Sequence, residues 1–138
     1  MNGEADAEIV LRTGEFVAFL DTRPLFHGHV LVVPVTHVVT FDQLPADLGG
    51  ALVAVGQRLV QAVESAMDAD GSLMIVNNIV SQSVPHLHLH VIPRTRRDGL
   101  RLWLGPRHPY GSTAERAATG ARIRAALDAG PRGQGHMP

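Results

Sequence analysis

Val84-Pro85-His86-Leu87-His88-Leu89-His90-Val91-Ile92-Pro93 (84–93) is the stretch on which the fold turns. Alternation of apolar and polar residues marks a half-buried strand, because successive side chains point to opposite faces. A strand over His86–Pro93 puts Leu87, Leu89 and Val91 on a core face and His86, His88 and His90 together on the other. Imidazoles are polar at both ring nitrogens, and burying them without partners is costly. One histidine here would read as a surface residue; three at strict alternation read as a site. Same-face histidines can also share a zinc. A catalytic zinc draws on nearby carboxylates, and no Asp or Glu lies within seven residues of the three, which counts against a metal.

Working outward, His29–Val35 (HVLVVPV) is apolar and β-branched, a buried strand that ends at Pro34 or lies at an edge. Glu8–Arg12 and Phe16–Leu20 read as strands around the turn Thr13-Gly14-Glu15. Over Pro45–Met67 the residues Leu48, Leu52, Val55, Leu59, Ala62, Val63 and Ala66 recur at helical spacing. Pro45 suits the first turn of that helix, with Asp47 near its positive end, and Asp68-Ala69-Asp70-Gly71 stops it. Ser72–Asn77 is a further strand, and Thr113–Leu127 an Ala-rich helix beyond an Arg-, Gly- and Pro-rich loop over 94–112. The order β-β-β-α-β-β gives an α+β fold, an antiparallel five-stranded sheet with one main helix and a short C-terminal helix. Helix packing on one face leaves the other open for a site or a partner subunit. The chain reads as a single domain over 1–138, with a core at about 8–94, an extension over 95–138, a loose segment 1–7 and a disordered tail over 130–138.

Composition narrows the chemistry. The 138 residues fit one domain with a real core, and 45% apolar with 18% charged residues is ordinary for a soluble protein. A net charge of −1 supplies no basic field for nucleic acid or an anionic membrane. Every cation is Arg, so a lysine Schiff base and a P-loop lysine are excluded. The absence of Cys excludes disulfides, thiolate zinc sites and a Cys nucleophile, and suits a reducing cytoplasm. No apolar run reaches the roughly 18 residues of a bilayer span, and MNGEADAE is unlike a signal peptide. Five of the eight histidines fall in two short segments.

The stretches around those histidines carry a resemblance. HLHLHVI (86–92) resembles the defining H-φ-H-φ-H-φ-φ motif of the histidine triad family, and Ser81-Gln82-Ser83-Val84 resembles the Gly-Gln-Ser/Thr-Val segment before it, with Ser81 where Gly is usual. AFLDTRPLFHGHVLVVPVTH (18–37) is similar to the family's upstream block. The likeness covers roughly 8–94. It implies that His88 is a nucleophile whose Nε2 attacks the α-phosphorus of a nucleotide, forming a nucleotidyl-histidine. His88 Nδ1 would donate to the backbone carbonyl of His86, and His90 and His29 would contact phosphate oxygens. It places Gln82 and Ser83 beside the phosphate and leaving group, and Asn77 against phosphate. Asp21 would accept from the ribose hydroxyls, with Phe19 and Leu31 as apolar wall of the base pocket.

Each assignment has a plainer reading. Asp21 and Asn77 can be turn residues, His37 a surface residue after a strand, and His27 and His108 exposed loop residues. Arg94, Arg96, Arg97 and Arg101 read as a solvated loop rather than a polyphosphate grip, and Trp103 as a cap on the core or part of an interface. The resemblance implies a hydrolase or transferase acting on a purine nucleotide, either a dinucleoside polyphosphate or an adenylated small molecule. A nucleotide-binding module with little turnover and a His-cluster metal protein are the alternatives. No cofactor is expected on the protein, although Mg²⁺ can accompany a polyphosphate substrate. Relatives of this kind pair as homodimers through the helix and the following strand, which would put Val53, Gly56 and Val60 against the symmetry mate.

Overall fold

The computed structural model describes residues 7–101 and 106–131. The loose segment expected over 1–7, except Ala7, the role of Trp103, and the tail with His136 from 132 onward lie outside the described residues. Two compact units divide the chain, 1–99 and 100–138.

The first unit holds β1 (Ile9–Arg12), β2 (Phe16–Leu20), β3 (Val30–Pro34), α1 (Gly49–Ala66), β4 (Gly71–Val76) and β5 (Leu89–Arg94). The strands form one antiparallel sheet in the order β1-β2-β3-β5-β4. Thr13 closes the first hairpin as its turn residues predict, its hydroxyl accepting from Phe16 N–H at 2.9 Å. β3 lies centrally, between β2 and β5, and ends at Pro34, so the strand stops there rather than forming an edge. Pro93 is accommodated inside β5 because it lies beyond Val91↔Val30, the last pairing of β5 with β3 in that direction.

α1 covers one face. Its Leu52, Val55, Leu59 and Val63 pack with Phe16, Ala18, Val30, Val32, Leu89 and Val91 in the main core. Burying each such side chain contributes about 1.5–3 kcal/mol. The helix begins later than its periodicity predicts. Pro45 precedes a separate 3₁₀ turn, Ala46–Leu48, closed by Leu48 N–H to Pro45 C=O at 2.9 Å, and Asp47 lies in that turn rather than in α1. Gly56, expected on a partner-facing side, instead faces the sheet, where a Cβ would stand 3.1 Å from Met74 Cε and 3.7 Å from Leu89 Cδ2. Val60 packs partly against the core, while Val53 stays exposed.

The triad segment departs most from the pattern. β5 starts at Leu89, not at His86. Pro85 has no N–H to give a ladder, and His86 N–H turns back to Val84 C=O at 2.7 Å. The inward alternation survives nevertheless: Leu87, Leu89 and Val91 are all buried.

In the second unit, α2 (Thr113–Ala129) opens on the N-cap Ser112, whose Oγ accepts from Glu115 N–H, while Glu115 Oε2 accepts from Gly111 N–H ahead of the cap. It begins where the sequence predicts and runs two residues past the expected Leu127, and Gly120 does not interrupt it. No helix among the described residues is long and apolar enough to cross a membrane.

Candidate active site

Sheet register assembles the site on the face opposite α1. Phe19 pairs with Leu31, Leu31 with His90 and His90 with Ile75, so these side chains form one row across four strands. Phe19 is buried with Val17 and Val33, and Leu31 packs against them. Val76, opposite Leu89, is the last residue of β4, so Asn77 follows that strand as His88 precedes β5. His29 enters just before β3. Gly28 ahead of it has φ +96°, and a Cβ there would stand 2.6 Å from Met67 Cγ, so only glycine fits the turn that delivers His29.

Hydrogen-bond partners fix the state of each ring. Leu25 N–H donates to His29 Nδ1 at 3.1 Å. A neutral His29 therefore carries its proton on Nε2, which lies 3.0 Å from His90 Nδ1. His90 accepts there, and its own proton stands on Nε2. His88 Nδ1–H donates to His86 C=O at 2.5 Å, leaving the His88 Nε2 lone pair free. His86 Nε2–H donates to Pro34 C=O at 3.1 Å, so its Nδ1 accepts, and His37 Nδ1–H faces it at 2.9 Å.

Burial pushes His88, His90 and His29 below the ordinary imidazole pKa of 6.5. For His88 the bond to His86 C=O opposes the shift, while His86 and His90 reinforce it. His90 is lowered further by His29, and Asp21 acts upward on all three. Near pH 7 the rings are neutral, which a nucleophilic imidazole requires.

Asp21 fills its turn reading and also faces His29. Oδ1 accepts from Arg23 N–H at 2.9 Å, a turn contact, while Oδ2 lies 3.6 Å from His29 Nε2. The carboxylate missing from the sequence neighbourhood of the triad is thus supplied in space by the end of β2. Asp21, His29 and His90 each offer a ligand atom within 4.8 Å of the others. The His29 tautomer opposes their use as a metal site, since a metal at Nε2 would need that nitrogen deprotonated while Nδ1 still faces Leu25 N–H.

The loops before β5 are stitched together around His86. Gln82 Oε1 accepts from Ile79 N–H at 2.9 Å, and Gln82 Nε2 donates to Val39 C=O at 2.6 Å and to His86 C=O at 3.2 Å. The Gln82 amide is committed to backbone. Asn78 Oδ1 accepts from Phe41 N–H at 2.8 Å. Ile79 and Ser81 sit at φ +69° and +65°, so the position where relatives carry Gly is left-handed here with a side chain on it. Ser83, His27 and His108 are exposed. Arg94 is paired with Asp98 through bonds of 2.6 and 2.9 Å rather than projecting as a phosphate grip. The sequence left His37 undecided; its ring contact with His86, across 49 residues, has no local signal.

Comparison with known proteins agrees with this geometry. The HIT domain model matches residues 2–97. An uncharacterized HIT-like protein of Mycobacterium tuberculosis is 35% identical over 127 residues, spanning 91% of this chain and 87% of its own. An adenylylsulfatase of Arabidopsis thaliana is 35% identical over 61% of this chain and 44% of its own. An asymmetrical bis(5'-nucleosyl)-tetraphosphatase of Schizosaccharomyces pombe is 33% identical over 67% and 52%. Among solved structures, a Zn-bound histidine triad family protein of Mycobacterium smegmatis superposes with TM-score 0.66 at 34% identity, covering 91% of each chain. A Streptococcus mutans protein reaches TM-score 0.78 at 26% identity, covering 88% of this chain and 77% of that one.

Proposed function

Because the chain belongs to the HIT domain family, we propose that it is a nucleotide hydrolase or transferase working through a covalent nucleotidyl-histidine on His88. The observation that carries the reading is the His88 ring: Nδ1–H is held by the His86 carbonyl, burial keeps the ring neutral, and the Nε2 lone pair is free. Nε2 attacks the α-phosphorus, the bond from phosphorus to the leaving group breaks, and the leaving group departs with that electron pair. Water or another acceptor then attacks the same phosphorus, and the phosphorus–Nε2 bond breaks to return neutral His88. His90, with its proton on Nε2, donates to a phosphate oxygen as negative charge builds. His29 holds that tautomer of His90. Asp21 accepts from the ribose hydroxyls through Oδ2, and Phe19 and Leu31 wall a purine. Asn77 and Ser83 contact phosphate, and Gln82 and His86 hold the carbonyl that orients the nucleophile. Substrates are dinucleoside polyphosphates or adenylated small molecules, with Mg²⁺ accompanying a polyphosphate. No metal is held by Asp21, His29 and His90 during turnover.

The protein pairs with a second copy through β4. That strand is a sheet edge, and Met74 on it and Val53 on α1 are both exposed. Unpaired edges invite a partner strand, and two-fold closure is the simplest solution.

The test is a panel of diadenosine tetraphosphate, adenosine phosphosulfate and adenosine phosphoramidate, offered to native protein and to His88→Ala, with intact-mass detection of an adenylylated chain. Turnover and adduct on native protein, both lost in the variant, support the reading. Turnover that survives in His88→Ala, or a zinc-loaded protein whose activity disappears on chelation, defeats it. Light scattering giving a monomer mass at micromolar concentration removes the dimer.

A further inference from the structure

We propose that His37 is a positioning residue for the nucleophile, holding the His86 imidazole so that the His86 carbonyl is aimed at His88 Nδ1. The inference rests on the reading of His88 as nucleophile. It begins from where the His86 carbonyl lies. That group stands before β5 starts, so no ladder bond orients it. It must nevertheless receive His88 Nδ1–H, because this bond is what leaves His88 Nε2 unprotonated.

The His86 ring is gripped at both ends. Nε2–H reaches Pro34 C=O at 3.1 Å, and Nδ1 takes His37 Nδ1–H at 2.9 Å, the two rings lying 5.0 Å apart between centroids at 31°. Only one tautomer of His86 serves. Moving its proton to Nδ1 would set the Nε2 lone pair against the Pro34 carbonyl, acceptor against acceptor. His37 enforces the useful tautomer by presenting a donor to Nδ1. His86 is 8% exposed, so an unfilled acceptor at Nδ1 is costly and the ring gains reason to shift. The ring and the carbonyl share the His86 Cα, so a ring displacement that shifts Cα also shifts the carbonyl to which both His88 Nδ1–H and Gln82 Nε2–H are bound.

His37 differs from its neighbours in what it does. Val38 C=O accepts from Leu87 N–H at 2.8 Å and Val39 C=O from Gln82 Nε2 at 2.6 Å. Those two backbone contacts dock the 35–40 segment whether or not His37 is present. The exposed His37 ring is therefore dispensable for docking and specific for the ring of His86.

The experiment compares native protein, His37→Ala and His37→Asn. The Asn amide nitrogen is attached to Cγ like Nδ1 of His, so it restores a donor at the same place on the side chain. Rapid-quench single turnover with p-nitrophenyl-AMP reads adenylyl transfer to His88, and equilibrium binding reads AMP affinity. Long-range ¹H–¹⁵N correlation of the imidazoles reads the His86 and His88 tautomers in resting protein. His37→Ala is expected to slow adenylyl transfer about tenfold, as small misplacements of a reacting group do, with AMP affinity within about twofold of native. His37→Asn is expected to recover most of the rate. Native His88 should show one tautomer with Nε2 unprotonated, and His37→Ala a mixture. Native transfer rate and an unchanged imidazole pattern in His37→Ala overturn the proposal, as does equal impairment of the Ala and Asn variants. If native protein forms no adenylyl-His88, the functional reading fails, and the resting-state spectra still decide whether His37 sets the tautomers.

Discussion

His29–His90 and His86–His88 are two pairs of imidazoles built on different supports. His90 lies in β5, where pairing with Leu31 and Ile75 fixes its face and depth, and His29 reaches it from the adjoining turn. His86 and His88 precede the strand: Pro34 and His37 hold the His86 ring, and the His86 carbonyl, bound also by Gln82, holds the His88 ring. A ladder places a residue through repeated backbone bonds that no single side chain controls. A clamp of side chains can be undone one residue at a time. The donor on the ladder side is thus rigid by construction, while the nucleophile depends on its neighbours, and substitutions around each pair should behave accordingly.

The largest effect sharpens the comparison at its centre. His88→Ala should lower turnover by on the order of 10³-fold or more while AMP still binds, whereas His90→Ala should slow the chemistry less, by roughly 10²-fold. Steady-state and adduct measurements on both variants check this; a greater loss for His90→Ala would exchange their roles.

Acid should disable both pairs together. Protonated His88 has no lone pair on Nε2, and burial holds it below 6.5, so kcat/KM should climb with pH to a plateau with its inflection below 6.5. Folding stability follows the same sign. The unfolded chain takes up protons near the ordinary value of 6.5 while the folded rings resist, so stability is greatest above 6.5 and falls as pH drops toward the folded values. Asp21 raises all three rings, and Asp21→Asn should move the activity inflection to lower pH. An inflection at or above 6.5 would contradict a nucleophile that burial holds neutral.

Much of the ladder half was legible in the sequence and much of the clamp half was not. Alternation over 86–91 named the residues that face the core and those that face the site, because period two is a local property of extended backbone. Leu87 and His88 keep that alternation even though the strand begins only at Leu89. The same sequence could not show that Pro85 turns His86 N–H to Val84, or that His37 meets His86 across the sheet end. Nor could it bring a carboxylate to the triad: Asp21 is distant in sequence and reaches His29 only because β2 and β3 pair. Gly56 was misplaced for a related reason. Helical spacing marks a stripe but does not say how closely the sheet approaches it, and a residue without a Cβ lets Met74 come in.

The ladder side has its own weak points at its ends. Asp21→Ala removes a carboxylate remote from phosphorus, which should bind ground state and transition state alike. A charge-assisted hydrogen bond contributes about 1.5–3 kcal/mol, so KM should rise about tenfold or more with kcat nearly unchanged. Native enzyme treating ribose and 2′,3′-dideoxyribose substrates equally would end that assignment. Gly28→Ala meets Met67 and a φ of +96° at once, and should destabilise the fold by about 1–3 kcal/mol. Denaturant midpoints of native and variant protein measure this; an unchanged midpoint would mean the turn before His29 is adjustable.

The smallest effect belongs to the clamp side. Ile79 and Ser81 both occupy the left-handed region, at φ +69° and +65°. Holding a non-glycine residue there costs about 1–2 kcal/mol, more for a β-branched one. Glycine removes that strain but gives the unfolded chain more freedom, which returns about 0.4–1 kcal/mol. For Ser81→Gly the two nearly cancel, and the change should lie within about 0.5 kcal/mol of zero. Ile79→Gly should come out more favourable, because β-branching raises the strain and the side chain is 44% exposed, with limited burial to lose. The Ile79 N–H bond to Gln82 Oε1 survives either change, since it uses backbone. Denaturant unfolding of the two variants side by side tests the ordering. If Ile79→Gly is the less stable of the two, the Ile79 side chain contributes packing that outweighs its strain, and the loop beside the nucleophile is held by apolar contact as well as by the Gln82 amide.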